Sequence, residues 1–188
     1  MSTAAIVLAA GKSGRLGELK QLVRLNEERM LERAVRVCRE AGCTPIVVVL
    51  GASADEIREK CELGSSQLVL NERWVEGMST SLAAGVNVLE EHVAGCVVLT
   101  CDQPAVSSAH LRELMKRAEL TASSYAGRRG VPAFFPASRF AELMQLRGDA
   151  GAREMLKEAY ALPLPNGELD IDTPEDLDRA RRFFSKRS

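Results

Sequence analysis

The chain has 188 residues, of which 46% are hydrophobic, 4% aromatic and 27% charged. With 25 basic and 26 acidic residues the formal net charge is −1, so no overall basic surface advertises nucleic acid, and the scarce aromatics argue against stacking platforms for single strands. The composition suits one folded domain spanning residues 1–188, and no apolar run approaches the ~18 residues of a membrane span.

Residues 4–10 are a short apolar run that reads as a first core strand. The start of the chain has no basic segment ahead of that run and does not read as a signal peptide. After a glycine-rich loop, residues 30–41 place Met30, Leu31, Ala34, Val35, Val37 and Cys38 on one helical face, and Gly42 suits the stop. Residues 45–50 are β-branched and apolar throughout, as expected of a strand covered on both faces. A short helix over 54–61, a strand at Gln67–Leu70, a helix over 79–91 and an apolar strand over 96–100 follow. Residues 107–119 read as a helix capped by Ser107 or Ser108.

The last third is less regular: a short strand at 133–135, a helix over 138–146, a second helix capped by Asp149, and a final strand at 168–171. Thr173 then caps a terminal helix with Pro174 at its first position. Strands alternating with helices at this spacing argue for an α/β sandwich with a mainly parallel sheet. Cys38, Cys43, Cys61, Cys96 and Cys101 form no CxxC pair, and with only two histidines there is no zinc pattern. Buried thiols in a reducing, cytoplasmic setting fit best.

Chemistry concentrates in four segments. The first is Leu8-Ala9-Ala10-Gly11-Lys12-Ser13-Gly14-Arg15-Leu16-Gly17-Glu18-Leu19-Lys20, where a strand ends in a loop with three glycines flanked by Arg15 and Lys20. Glycines let backbone N–H groups face a phosphate closely, and the two cations meet its charge, which is the combination triphosphate binding requires. The Walker pattern is excluded because Gly11-Lys12-Ser13 comes too early, and glycines at 11, 14 and 17 do not match the dinucleotide fingerprint. The second segment ends an apolar strand in Thr100-Cys101-Asp102-Gln103-Pro104, which puts Asp102 outside a strand's carboxyl end, where a carboxylate can hold a hard cation. The third is Asp170-Ile171-Asp172; on a strand both carboxylates would face one side and offer a second ligand to the same metal. The fourth, residues 71–81, carries Asn71, the lone Trp74, Gly77, Ser79 and Ser81 into a helix and could line a pocket beside the loop. His92 and His110 lie outside these motifs, in segments that read as helical and structural.

With these pieces in order, the sequence resembles the MobA-like NTP transferase family, and most closely its molybdenum cofactor cytidylyltransferase branch. The matching pieces are LAAGKSGRLGELK, NERWVEGMSTSL, LTCDQP, GRRGVP, LRGDAGAREML and DIDTPEDL, spread from end to end. The resemblance implies a Rossmann-like three-layer α/β sandwich of the nucleotide-diphospho-sugar transferase type, with a mainly parallel, mixed sheet. It implies that the 8–11 turn with Ser13, Arg15 and Lys20 cradles the triphosphate, with Arg15, Lys20 and Asp102 as the catalytic set. It also implies that Asp102 is the principal Mg²⁺ ligand (Mn²⁺ being a substitute), with the second from Asp172 in preference to Asp170. Residues 128–132 would lie on the acceptor side, where Val131 stands in place of a histidine common among relatives.

The LAAG form looks like the cytidylyl side of the family, where guanylyltransferases read LAGG, so CTP is the expected nucleotide and molybdopterin the expected acceptor. Transient contact with a molybdoenzyme or its maturation factor would follow, with no nucleic acid or membrane partner. Competing expectations are the same chemistry with GTP or with another acceptor such as a sugar phosphate, and a nucleotide-binding factor that delivers cofactor without catalysis. An NAD-dependent oxidoreductase is disfavoured by the glycine spacing and by Leu50-Gly51-Ala52, which puts no acidic residue after the second strand.

Overall fold

A computed structural model describes residues 1–90, 92–148 and 150–185. In chain order its elements are β1 (Ser2–Ala9), β2 (Arg24–Leu25), β3 (Glu28–Arg29), α1 (Met30–Glu40), β4 (Ile46–Leu50), α2 (Ala54–Lys60), β5 (Gln67–Leu70) and α3 (Met78–Asn87). Then come β6 (Val93–Thr100), α4 (Ser108–Met115), β7 (Thr121–Tyr125), β8 (Arg128–Pro136), α5 (Phe140–Gln145), α6 (Ala150–Lys157), β9 (Tyr160–Pro163) and α7 (Pro174–Ser185).

Seven strands form one sheet in the order β5-β4-β1-β6-β8-β7-β9, in which β8 alone runs antiparallel to its neighbours. β1 and β4 are apolar on both faces because both faces are covered. Ala5, Val7 and Ala9 pack with α1, α2 and α4 on one side, while Ala4, Ile6 and Leu8 pack with α3, α5 and α6 on the other. This is the three-layer sandwich and mainly parallel mixed sheet expected. The chain builds outward from β1 to β4 and β5, then returns to place β6 on the opposite side of β1. That reversal opens a crevice beyond the carboxyl ends of β1 and β6, where ligands bind in open α/β sheets.

A third, smaller core sits beside the crevice. Leu16, Val23, Leu25 and Met30 meet Leu169, Ile171, Leu177 and Ala180, with Phe183 and Phe184 against them. It joins the β2–β3 hairpin, whose turn residues Asn26 and Glu27 both take positive φ, to α7. Thr173 caps α7 as expected, its Oγ1 accepting from Asp176 N at 3.2 Å while Asp176 Oδ2 accepts from Thr173 N at 3.0 Å.

Several expectations need correction. Residues 168–171 form no strand: Leu169 and Ile171 are buried in the third core, and Ile171 N donates to the Asp102 carbonyl at 3.0 Å. The apolar alternation is real, but a small core and one hydrogen bond produce it rather than a sheet. The helix expected over 79–91 ends at Asn87, and its last residue lies outside the described residues, as does the predicted cap Asp149. The helix over 107–119 stops at Met115; Ser107 is its cap, accepting from His110 N at 3.2 Å. His92 sits in a turn, not a helix. β7 and β9 are strands that the apolar pattern does not reveal, and the strand expected at 133–135 runs from Arg128 to Pro136.

Candidate functional site

The glycine loop leaves β1 at the crevice, and its two ends are tied together. Ser13 Oγ accepts from Lys20 N at 2.8 Å, and the Gln21 side-chain amide donates to the carbonyls of Ala9 and Gly11 at 2.8 and 3.1 Å. A Cβ added at Gly11 or Gly14 would meet nothing within 4 Å. The protein itself does not crowd these positions, and side chains there would fill the open space above the loop. Gly17 takes φ +81°, where glycine is favoured. A concavity of about 720 Å³ lies against the loop, lined by Lys12, Ser13, Gly14, Arg24, Glu56 and Lys60 among others.

Three of the four chemical segments converge here. Lys20 Nζ reaches Asp102 Oδ2 at 2.5 Å and Asp172 Oδ1 at 3.2 Å, so one ammonium bridges the carboxylates that end β6 and precede α7. Burial alone would lower the Lys20 pKa, but Asp102 and then Asp172 more than offset it and hold it above the ordinary lysine value. Arg15 also reaches Asp172, at 3.3 Å, but with three-quarters of its side chain exposed. Such a pair is worth about 0–1 kcal/mol, so Arg15 is free to swing to another anion while Lys20 is held in place.

Asp170 sits apart from this bridge. Its Oδ2 lies 4.0 Å from Arg128, and its Oδ1 is buried with no hydrogen-bond partner among the described residues. Burial, then the nearby Asp102 carboxylate, push its pKa up to about 6, with Arg128, and Gln103 more weakly, pulling the other way. A raised carboxyl pKa gives a stabilising contribution that is complete below the ordinary 3.8 and lost as pH rises through about 6. In metal-free protein, Asp170→Asn should therefore raise Tm more at pH 8 than at pH 5. Equal changes at the two pH values, by scanning fluorimetry, would contradict this electrostatic assignment.

The fourth segment is arranged differently. Asn71 is buried and its Nδ2 donates to Thr80 Oγ1 and Ser81 Oγ, both at 2.9 Å. Ser79 and Ser81 are buried too, and Gly77 takes φ +113° at the turn into α3. These residues shape the turn through contacts with one another. The segment lines a cleft of about 390 Å³ between α3 and the end of α5, with Arg73, Met144 and Arg147, and no glycine-loop residue borders it. Leu8, Ala9 and Ala10 have buried side chains, so they can meet a ligand only through backbone. Trp74 packs on Gly51, where an added Cβ would lie 2.8 Å from both the indole side chain and the Ala10 carbonyl.

His110 Nε2 lies 2.8 Å from Ser123 Oγ, and burial lowers its pKa to about 4. It is a neutral structural histidine. All five cysteines are free and buried. Among the described residues, no group of three or more His, Cys, Asp or Glu side chains forms a ready-made metal cage. No described helix is long and apolar enough to cross a membrane. Gln21 is the site residue that the motif reading missed; only its position, directly after Lys20, could have drawn attention to it.

A mostly parallel sheet with helices on both faces and a glycine loop at its switch point is a fold shared with a nucleotidyl transferase from Methanothermobacter thermautotroptrophicus, which superposes with a TM-score of 0.84 at 24% identity, covering 100% of this chain and 99% of that one. The chain belongs to the MobA-like NTP transferase family, whose domain profile matches residues 5–163. It is 31% identical to the purine catabolism protein PucB of Bacillus subtilis, over 96% of both chains. It is 29% identical to the nicotine blue oxidoreductase of Paenarthrobacter nicotinovorans, over 95% of this chain and 93% of that one. A protein described as "Probable molybdenum cofactor guanylyltransferase" from Opitutus terrae is 30% identical over 95% of each, and the molybdenum cofactor cytidylyltransferase of Escherichia coli 23% over 96% of each. The crystal structure of Rv0371c from Mycobacterium tuberculosis superposes with a TM-score of 0.87 at 30% identity, covering 97% of this chain and 99% of that one. A manganese complex of Rv0371c has also been solved and superposes at 0.82, with 27% identity and the same coverage.

Proposed function

We propose that residues 1–188 form a single nucleotidyltransferase domain that transfers CMP from CTP to the phosphate of molybdopterin, releasing pyrophosphate, with Mg²⁺ as cofactor and the cytoplasm as its compartment. The observation that carries this reading is the Lys20 bridge between Asp102 and Asp172 beneath the glycine loop. Two oxygen donors sharing one counter-charge are the chemistry a hard divalent cation selects, and Mg²⁺ usually takes one or two protein carboxylates and fills its shell with phosphate and water. Asp102 and Asp172 fit that role. Asp170 is the weaker candidate, because it faces Arg128 rather than the shared ammonium. The manganese complex of Rv0371c supports a divalent site in a relative.

In this reading an acceptor phosphate oxygen forms a bond to the α-phosphorus in line as the bond to the bridging β-phosphate oxygen breaks. The metal, when bound, neutralises phosphate charge. Lys20 and Arg15 offset charge developing on the departing pyrophosphate, and the loop N–H groups orient the triphosphate. Lys20 offsets only one of the two carboxylates it bridges, so a divalent cation bound there would lessen their repulsion of an incoming triphosphate. The nucleophile is ionised near neutral pH, so no general base is required, consistent with neutral His110 being tied to Ser123.

Ala10 in the LAAG turn supports CTP; the Opitutus terrae relative makes GTP the alternative. The test is pyrophosphate release with Mg²⁺ and molybdopterin, with and without molybdate, using CTP, GTP, ATP and UTP in turn, alongside an NAD(P)H oxidation assay. The expected result is release with CTP, dependent on acceptor and metal. Release with GTP alone would keep the mechanism and overturn the base assignment. NAD(P)H oxidation without pyrophosphate release would overturn both.

A further inference from the structure

Beneath the loop lies a buried polar side chain that the mechanism above does not use. Gln21 is 0% exposed, and its Nε2 holds the carbonyls of Ala9 and Gly11. Its own backbone carbonyl is held in turn by Leu31 N at the start of α1, at 3.1 Å. Between its two acceptors, the Ala10 carbonyl accepts from Ala52 N at 3.0 Å, and Gly51 packs against it so closely that no Cβ would fit. Three successive carbonyls therefore have internal partners.

In a trans peptide the N–H points opposite to the C=O of the same unit. Pinning the carbonyls of Ala9, Ala10 and Gly11 inward thus turns the N–H groups of Ala10, Gly11 and Lys12 away from the interior. None of those three donates to another protein group among the described residues. The amide orientation is unambiguous, because a flipped Gln21 would set its oxygen against two carbonyl oxygens. That orientation leaves Oε1 buried without a partner among the described residues, a state that costs stability. A leucine or methionine would fill the same space without that cost, but could not donate the two hydrogen bonds to Ala9 and Gly11.

We infer that Gln21 is a positioning residue for NTP binding: by holding the carbonyls of Ala9 and Gly11 it presets the backbone N–H groups of Ala10 and Lys12 as donors to the polyphosphate, on either side of the Gly11 N–H that Ala52 orients. The inference rests on the reading of this loop as the triphosphate cradle. It acts through backbone, so it touches no substrate itself.

The test compares wild type, Gln21→Met and Gln21→Glu for binding of CTP, inorganic tripolyphosphate and cytidine with Mg²⁺, and for KM and kcat, with Lys20→Ala as the control for the cradle. Methionine removes both donors at similar volume, and glutamate sets a carboxylate against the two carbonyls. Outer-shell partners of metal ligands typically change affinity by about 10- to 100-fold when removed, and an effect of that order is expected for a group that orients backbone donors. The expected result is a loss of that size in tripolyphosphate affinity and in KM for CTP, with cytidine affinity unchanged and kcat within a few-fold of wild type. Wild-type affinities in both variants, or equal losses for cytidine and tripolyphosphate, would overturn the inference. Should wild type and Lys20→Ala bind tripolyphosphate equally or not at all, the cradle reading itself fails, and the inference falls with it. A measurement that needs no variant is the ¹⁵N amide shift of Ala10, Gly11 and Lys12 on adding tripolyphosphate to wild type. Large shifts at these three are expected; shifts confined to Arg15 and Lys20 would overturn the inference even if the variants do not fold.

Discussion

Asp102→Ala is expected to abolish measurable turnover, by at least about 10²- to 10³-fold in kcat, the range seen when one preorganised electrostatic contact to developing charge is removed. The fold should survive, for a reason visible in how the site is built. The 170–172 segment is tied to residue 102 through the main chain, Ile171 N donating to the Asp102 carbonyl, so the substitution removes the carboxylate but not the anchor. Lys20 keeps Asp172 as a partner at 3.2 Å, so its charge is not left alone in a half-buried position. Pyrophosphate release and a thermal melt together decide the matter. A folded mutant with near-wild-type activity in Mg²⁺ would remove Asp102 from the metal site, and an unfolded one would show that its side chain is structural.

Much of this arrangement is legible in the sequence because its strands are buried on both faces. β1, β4 and β6 read as apolar runs since helices cover them above and below, and β5 was placed at its observed ends. β7 has no such signature. Its sequence is Thr-Ala-Ser-Ser-Tyr, and its interior polar groups are satisfied by contacts distant in sequence: Ser123 Oγ donates to Pro132 O at 2.6 Å and lies against His110. β9 is four residues with Tyr160 half exposed and a terminal proline, so period and propensity are both silent. The carboxylates at 102 and 172 could be named because acidic residues flank apolar stretches. Their shared ammonium could not, since it depends on β6 lying beside β1 and on the third core holding the 169–171 segment, which together bring residues 82 and 152 positions from Lys20 to the same point. Gln21 shows the same limit more sharply: beside Lys20 it looks like any surface amide, and its role exists only once the Ala9 and Gly11 carbonyls fold over it.

Lys20→Met has the second large expected effect, and its sign separates the roles assigned to the bridge. Methionine keeps the apolar stem and removes the charge, so packing changes little while Asp102 and Asp172 lose their common partner. The Lys20 pKa is held above the ordinary 10.5, so the ammonium's stabilising contribution is fully present at neutral pH and is lost only as pH rises beyond that value. Metal-free Lys20→Met should therefore have a lower Tm than wild type at neutral pH. With nucleotide the expectation is a fall of about 10²- to 10³-fold in kcat/KM for the NTP, from the missing charge on the polyphosphate. With Mn²⁺ alone the expectation reverses. The ammonium competes with a cation for the same two carboxylates, so its removal should tighten metal binding measured by calorimetry or paramagnetic relaxation. Weaker metal binding in Lys20→Met would mean that the cation uses other ligands, while an unchanged rate at both limiting and saturating NTP would remove Lys20 from the nucleotide site. Tighter metal together with slower transfer is the one combination in which Lys20 both guards the carboxylate pair and serves the phosphates.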